Sequence, residues 1–265
     1  MDVYLWTTPD ARSSRAHDVL VDVDEALARA GRGAAVSHEL AARTWGIELV
    51  DDGQRRLTVP RNRSRLTVDG WQVHRADLRR DEVSVAAGRR TTSPLRTLSD
   101  LARALDHRAA VVAADSALRL GEVGLEELLG SLRAAWGGGA GRVRRVGRDV
   151  DPASGSVLET LLRLLLWSSP LPRPVTQHVV LDRGGSFVAR VDFCWPAQRL
   201  VVEADGFAFH ADRAAYRRDR DRLNELERLG WRVLRVTWED VVARPAHVLA
   251  LVAECLEAPV LDNVC

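Results

Sequence analysis

From Asp18 to Gly31 the apolar positions Val19, Leu20, Val23, Ala26, Leu27 and Ala30 recur at spacings of three and four, which predicts an amphipathic helix stopped by Gly31. Ser37 heads a second, shorter helical stretch through His38 and Trp45 to Gly46, and the pair has the size of a helix-turn-helix. Strand-like runs follow at Arg56 to Val59 and Leu66 to Val68, and an Asp69-Gly70 turn leads into Trp71 to His74, predicting a hairpin. Helix, helix, hairpin is the order of a winged helix. Ser93 with Pro94 at the first helical position opens a helix through Leu105, and further helices are predicted from Arg108 to Leu120 and from Leu125 to Trp136.

The pattern breaks at Gly137, Gly138, Gly139 and Gly141, and Arg142, Arg144, Arg145 and Arg148 precede Asp151-Pro152. A Gly/Arg-rich linker over residues 137–152 is therefore expected, between a mostly helical, winged-helix-like domain (1–136) and a second domain (153–265). The second half reads differently. An apolar helix from Val157 to Trp167 leads to strands at Val175 to Leu181, Phe187 to Phe193 and Leu200 to Asp205, then an Arg-rich helix from Ala211 to Leu229. Gly230 stops that helix, Trp231 to Thr237 gives a fourth strand, and Ala246 to Leu256 a last helix. Helix, three strands, helix, strand is an α/β arrangement built on one layered sheet.

Composition narrows the function. The 265 residues are 46% hydrophobic and 28% charged, ordinary for a chain that buries real cores. No uncharged apolar run approaches the roughly eighteen residues a membrane helix needs, and Met1 to Ala11 lacks the layout of a secretory signal, so a cytoplasmic protein without membrane contact is expected. Cys194, Cys255 and Cys265 are too scattered for a disulfide framework or a zinc site, so any metal must be held by oxygen or by His. All 38 basic residues are Arg, which forbids a catalytic Lys, and a formal net charge of +1 leaves nucleic-acid affinity to local Arg clusters. One such cluster is Arg61, Arg63 and Arg65, in the loop after the first strand-like run, where guanidinium groups can meet DNA phosphates. It reads equally well as a solvated basic loop.

Asp192 lies near the end of its strand, and Glu203 and Asp205 share one side of the next by the alternation of a pleated strand. Converging carboxylates are costly unless a cation neutralises them, and Mg²⁺ does this while polarising a phosphate and activating water. Asp205-Gly206 also fits a simple turn, and Ser156 with Glu159 fits a helix capping box, so Glu159 is open between a structural and a supporting role.

Asp192 followed by Glu203-Ala204-Asp205 on adjacent strands, after a helix carrying Glu159, resembles the PD-(D/E)xK nuclease superfamily and its restriction-endonuclease-like αβββαβ core. The series Val191-Asp192-Phe193, Arg199 to Glu203, Asp205-Gly206, His210, Asp219, Arg222, Gly230-Trp231, Val233 to Arg235, Thr237-Trp238 and Asp240-Val241 is similar to a bacterial endonuclease-like family related to very-short-patch repair endonucleases. Asp205 stands where the superfamily name puts Lys. The resemblance implies Asp192 and Glu203 as Mg²⁺ ligands, with Mn²⁺ as a substitute; Asp205 as a water-orienting group or second-ion ligand; His210 as proton donor or water-positioning group; and Arg222 as a supporting residue, while the zinc site of the very-short-patch enzymes is not expected because the Cys spacing is wrong. The implied activity is hydrolysis of DNA phosphodiesters, RNA being left open as a substrate and protein partners unspecified.

The N-terminal half, through His38 to Ala42, Trp45-Gly46-Ile47, Thr58-Val59-Pro60 and Thr92 to Ala102, resembles the antitoxin-type winged-helix regulators of abortive-infection type IV systems. That likeness keeps an alternative in play, a DNA-binding regulator whose nuclease-like domain is non-catalytic.

Overall fold

The computed structural model describes residues 4–5, 14–51, 53–206 and 213–258 and divides into two compact units, Met1–Pro152 and Ala153–Cys265. In the first unit β1 (Tyr4–Leu5) pairs antiparallel with β3 (Val50–Asp51), between which lie α1 (Ser14–Ala30), β2 (Ala35–Val36) and α2 (His38–Thr44). There follow β4 (Arg56–Val59), β5 (Gln72–Arg75), β6 (Val83–Ala86) and β7 (Arg89–Thr92), then α3 (Pro94–Ala104), α4 (His107–Leu120), α5 (Leu125–Arg133) and α6 (Ala140–Asp149).

The periodic face of α1 puts Val23, Ala26 and Ala30 into one core with Val36, Leu57, Val59 and Trp71. Gly31 ends α1 in the left-handed region at φ 75°, as a helix-terminating glycine does. Ser37 precedes α2 without capping it; its hydroxyl lies 2.9 Å from His38 Nδ1 instead.

Strand pairing here departs from the expected hairpin. The sheet order is β5-β4-β2-β7-β6, and β4 runs parallel to β5. Residues 66–68 form no strand, and Val68 with Trp71 makes a lone bridge across the Asp69-Gly70 turn. All four residues of β4 are buried, so it takes neighbours on both edges and the chain must cross over to reach β5. Arg75 holds that crossover by donating to the carbonyls of Arg63 (3.3 Å) and Leu66 (2.7 Å). The antiparallel hairpin of this unit is β6–β7, turned by Ala87 and Gly88, both at positive φ as a tight two-residue turn requires.

Residues 137–152, expected as a linker, carry α6. Its Ala140, Val143 and Val146, spaced by three, are buried, and its arginines lie on the outside.

The second unit consists of α7 (Val157–Trp167), β8 (Val175–Leu181), β9 (Phe187–Trp195), β10 (Leu200–Asp205), α8 (Arg213–Arg228), β11 (Arg232–Thr237), α9 (Trp238–Ala243) and α10 (Pro245–Glu257). The sheet order is β11-β10-β9-β8; β8, β9 and β10 are antiparallel neighbours, and α8 is the crossover that brings β11 back parallel to β10. Leu200 to Glu203 are all buried, so both faces of β10 are covered. Leu226 of α8 lies in one cluster with Val180, Val191, Cys194 and Val201. The sequence reading runs from β11 directly to the last helix and misses α9, which Thr237 and Asp240 open as a reciprocal capping box.

Candidate active site

Strand register assembles the site. Thr176 and His178 of β8 stand opposite Phe193 and Val191 of β9, so Gln177 faces Asp192. On the other edge of β9 the last pair is Val202 with Phe193, and one step further sets Glu203 against Asp192. Glu203 in turn is paired with Arg235 of β11. A single transverse row, Gln177, Asp192, Glu203 and Arg235, therefore crosses all four strands, and residues in such a row are near enough to interact directly.

The ladder opens at Asp192 on both sides. Gln177 is in the left-handed region at φ 50°, a conformation that costs a residue with a Cβ and is held only by its surroundings. Its amide donates to Glu159 Oε2 at 2.8 Å and, at the long distance of 3.4 Å, to Asp192 Oδ1. Glu159 Oε2 also accepts from the backbone N–H of Gly155 at 2.8 Å. Ser156 caps α7 by accepting from the Glu159 N–H at 3.1 Å, which sets the carboxylate at the first turn of that helix. Asp192 Oδ2 accepts from the N–H of Ala204 at 3.0 Å, where the β9–β10 backbone pairing has ended.

Glu203 is one of the few buried charges of this unit. Arg222 of α8 forks onto it, donating to Oε1 at 2.6 Å and Oε2 at 2.9 Å, and also donates to Asp219 at 3.1 Å. Arg235 donates to the other oxygen of Asp219 at 2.8 Å and stands 3.8 Å from Glu203 and 3.9 Å from Asp205. Two carboxylates and two guanidinium groups are thus interlocked. The hydrogen bonds that Arg222 donates to Glu203 lead the causes that raise the Arg222 pKa against the opposing effect of burial. Burial alone would raise Asp219, but the bonds from Arg222 and Arg235 outweigh it and hold its carboxyl below the usual range.

Asp192 sits in the opposite situation. Burial, then the neighbouring charges of Glu159 and Glu203, push its carboxyl up to about 6 against the hydrogen bonds from Ala204 and Gln177. Among the described residues neither Asp192 nor Glu159 forms an ion pair, and no three His, Cys, Asp or Glu side chains are gathered closely enough to hold a metal as they stand. The oxygen donors of Asp192 and Glu159 suit a hard divalent cation, whose charge would relieve the repulsion that raises the Asp192 carboxyl. Glu203 could join them on exchanging Arg222 for the ion.

Of the residues singled out in the sequence, Asp192, Glu203, Glu159, Asp205 and Arg222 are brought together here. His210 lies outside the described residues. Arg61, Arg63 and Arg65 belong to the first unit, on an exposed loop where the Arg61 N–H donates to Asp77 at 3.1 Å. The sequence reading did not assign Gln177, Asp219 or Arg235 to the site. Arg235 would have emerged from the parallel pairing of β10 with β11, whereas nothing in the chain around Gln177 marks it.

Residues 181–256 match a restriction-endonuclease-like family model, REase_MTES_1575, a stretch that holds Asp192, Glu203, Asp219, Arg222 and Arg235 but not Glu159 or Gln177. Over 257 residues the chain is 31% identical to the uncharacterized protein Rv2248 of Mycobacterium tuberculosis strain H37Rv, covering 96% of this chain and 90% of that one. The uncharacterized protein MT2308 of strain CDC 1551 matches to the same extent. No solved structure matches the chain.

Proposed function

Because this chain belongs to the family of those mycobacterial proteins and matches a restriction-endonuclease-like family over residues 181–256, we propose that it is a divalent-metal-dependent endonuclease that hydrolyses DNA phosphodiesters. The observation that carries the reading is the row from Gln177 to Arg235, whose Gln177 amide bonds both Asp192 and Glu159 of α7, two carboxylates with no ion-pair partner among the described residues, Asp192 being pushed up to about 6 by burial and its neighbours' charge. Clustered carboxylates that repel one another in a buried setting are a site suited to a hard ion.

In this reading Asp192 and Glu203 are the ligands of Mg²⁺, or of Mn²⁺ in its place, with Glu159 in support. The bound ion supplies polarisation of the phosphate and a more acidic water. Gln177 and the Ala204 N–H keep the Asp192 carboxylate oriented. Asp205, at the half-buried end of β10, orients the attacking water, and His210 donates a proton or positions that water. Arg222, once released from Glu203, is available to a phosphate oxygen. In the first unit the loop of Arg61, Arg63 and Arg65 contributes phosphate contacts that position DNA.

The test is cleavage of plasmid, short duplex and single-stranded DNA with Mg²⁺ or Mn²⁺, comparing the natural chain with Asp192→Ala and Glu203→Ala. Loss of cleavage in both variants is expected. A natural chain that shifts DNA in a gel yet cuts nothing with either metal would instead establish a DNA-binding regulator with a non-catalytic nuclease fold.

A further inference from the structure

The stretch from Leu128 to Arg148 holds five arginines and no Asp or Glu, in a chain whose formal net charge is only +1. α6 places Arg142, Arg144, Arg145 and Arg148 in solvent, opposite its buried valines. Among the described residues these four arginines form no ion pair with a carboxylate. Just ahead of them stands Trp136, 81% exposed, although an indole is among the largest apolar surfaces that a residue can leave in water.

Trp136 is held by its backbone. Arg144 donates to the carbonyl of Ala135 at 2.8 Å, and Arg103 donates to the carbonyls of Trp136 at 3.5 Å and Gly138 at 3.3 Å. Arg142 donates to the carbonyl of Arg103 at 3.4 Å, closing the mesh. Gly137 and Gly139, at φ 76° each, provide the left-handed turns that let the chain double back into α6. The main chain is thus fixed from several sides while the ring is presented to solvent.

We propose that this face binds single-stranded DNA, with Trp136 stacked on a base and the arginines of α6 against the backbone phosphates. An aromatic platform beside guanidinium groups that no carboxylate neutralises meets both chemical faces of an unpaired nucleotide. A duplex satisfies the arginines but keeps its base faces stacked on one another, so the indole gains nothing from it. The choice of DNA as the polyanion rests on the functional reading above; the binding itself requires neither metal nor catalysis.

The full-length chain is titrated, in EDTA, against a fluorescein-labelled oligothymidylate and a duplex of equal length, followed by anisotropy. Trp136→Ala is expected to weaken single-strand binding by about tenfold and to leave duplex binding nearly unchanged. Arg144→Gln with Arg145→Gln is expected to lower the slope of log affinity against log salt by about 0.7 per arginine removed. All three side chains are exposed, so unchanged circular dichroism should accompany these losses. Unchanged affinity in Trp136→Ala, or an equal loss on duplex, overturns the stacking assignment, and polyglutamate competing as well as the oligonucleotide reassigns the face to an acidic protein. Because no cleavage is measured, a chain that cuts nothing yet loses single-strand binding on Trp136→Ala keeps this inference while the endonuclease reading falls.

Discussion

Arg222 meets Glu203 with two hydrogen bonds, and the Glu203 side chain is only 8% exposed. Removing one partner of a fully buried pair costs about 3–5 kcal/mol because the other charge is stranded. Here the cost is smaller: Arg222 is 27% exposed and Arg235 remains 3.8 Å from Glu203, so about 2 kcal/mol is expected for Arg222→Gln in EDTA. If a divalent ion can occupy the guanidinium's place on Glu203, saturating Mg²⁺ should restore more stability to Arg222→Gln than it adds to the natural chain. Urea unfolding of both proteins with and without Mg²⁺ measures this. Equal increments would mean that Glu203 is no ligand and that Arg222 is simply its permanent counter-ion.

Elements show how far local pattern reaches. In the second unit nearly every strand and helix was legible, since buried alternation and apolar helical faces are written within each segment; Asp192, Glu203 and Glu159 could be placed on those elements, whereas Arg222 was singled out only through the family resemblance. What local pattern does not carry is pairing. Gln177 and Arg235 enter the site through the partners of β8 and β11, and the left-handed backbone of Gln177 is imposed by its surroundings rather than by its residue type. The same limit explains the first unit: the run before Asp69-Gly70 looks like half a hairpin, whereas β5 finds a parallel partner across a crossover. At α6 composition misled directly, because the glycines that read as a linker are a turn and the valines among the arginines are core. Val143 is fully buried, so Val143→Ala should destabilise the first unit by about 2 kcal/mol, read from its denaturant midpoint. An unchanged midpoint would restore the linker reading of this stretch.

On the scale of the whole chain the two compact units carry different buried charge problems, which gives each its own handle. In the first, His38 is 4% exposed and in the left-handed region, with its ring 4.1 Å from that of His74 and with Arg56 and Arg96 facing it. Burial first, then His74, Arg56 and Arg96, lower its pKa from 6.5 to about 2. A folded-state pKa below the unfolded value means that the unfolded chain binds the proton first. The stability from neutral His38 is therefore full above about pH 6.5 and is lost as pH falls toward 2, with a limiting slope of about 1.4 kcal/mol per pH unit. If, as proposed, the uncompensated carboxylates of the second unit hold a divalent ion, a ligand at a hundred times its dissociation constant adds about 2.7 kcal/mol to the state that binds it. Calorimetry should accordingly separate two transitions. Mild acid should lower one, with a weaker pH dependence in His38→Gln, while Mg²⁺ at neutral pH should raise only the other, an increase that Asp192→Asn abolishes. Were Mg²⁺ to move both transitions, or neither, the carboxylate row would not be its site, and the charge clustered at Asp192 would have to be answered by protonation alone.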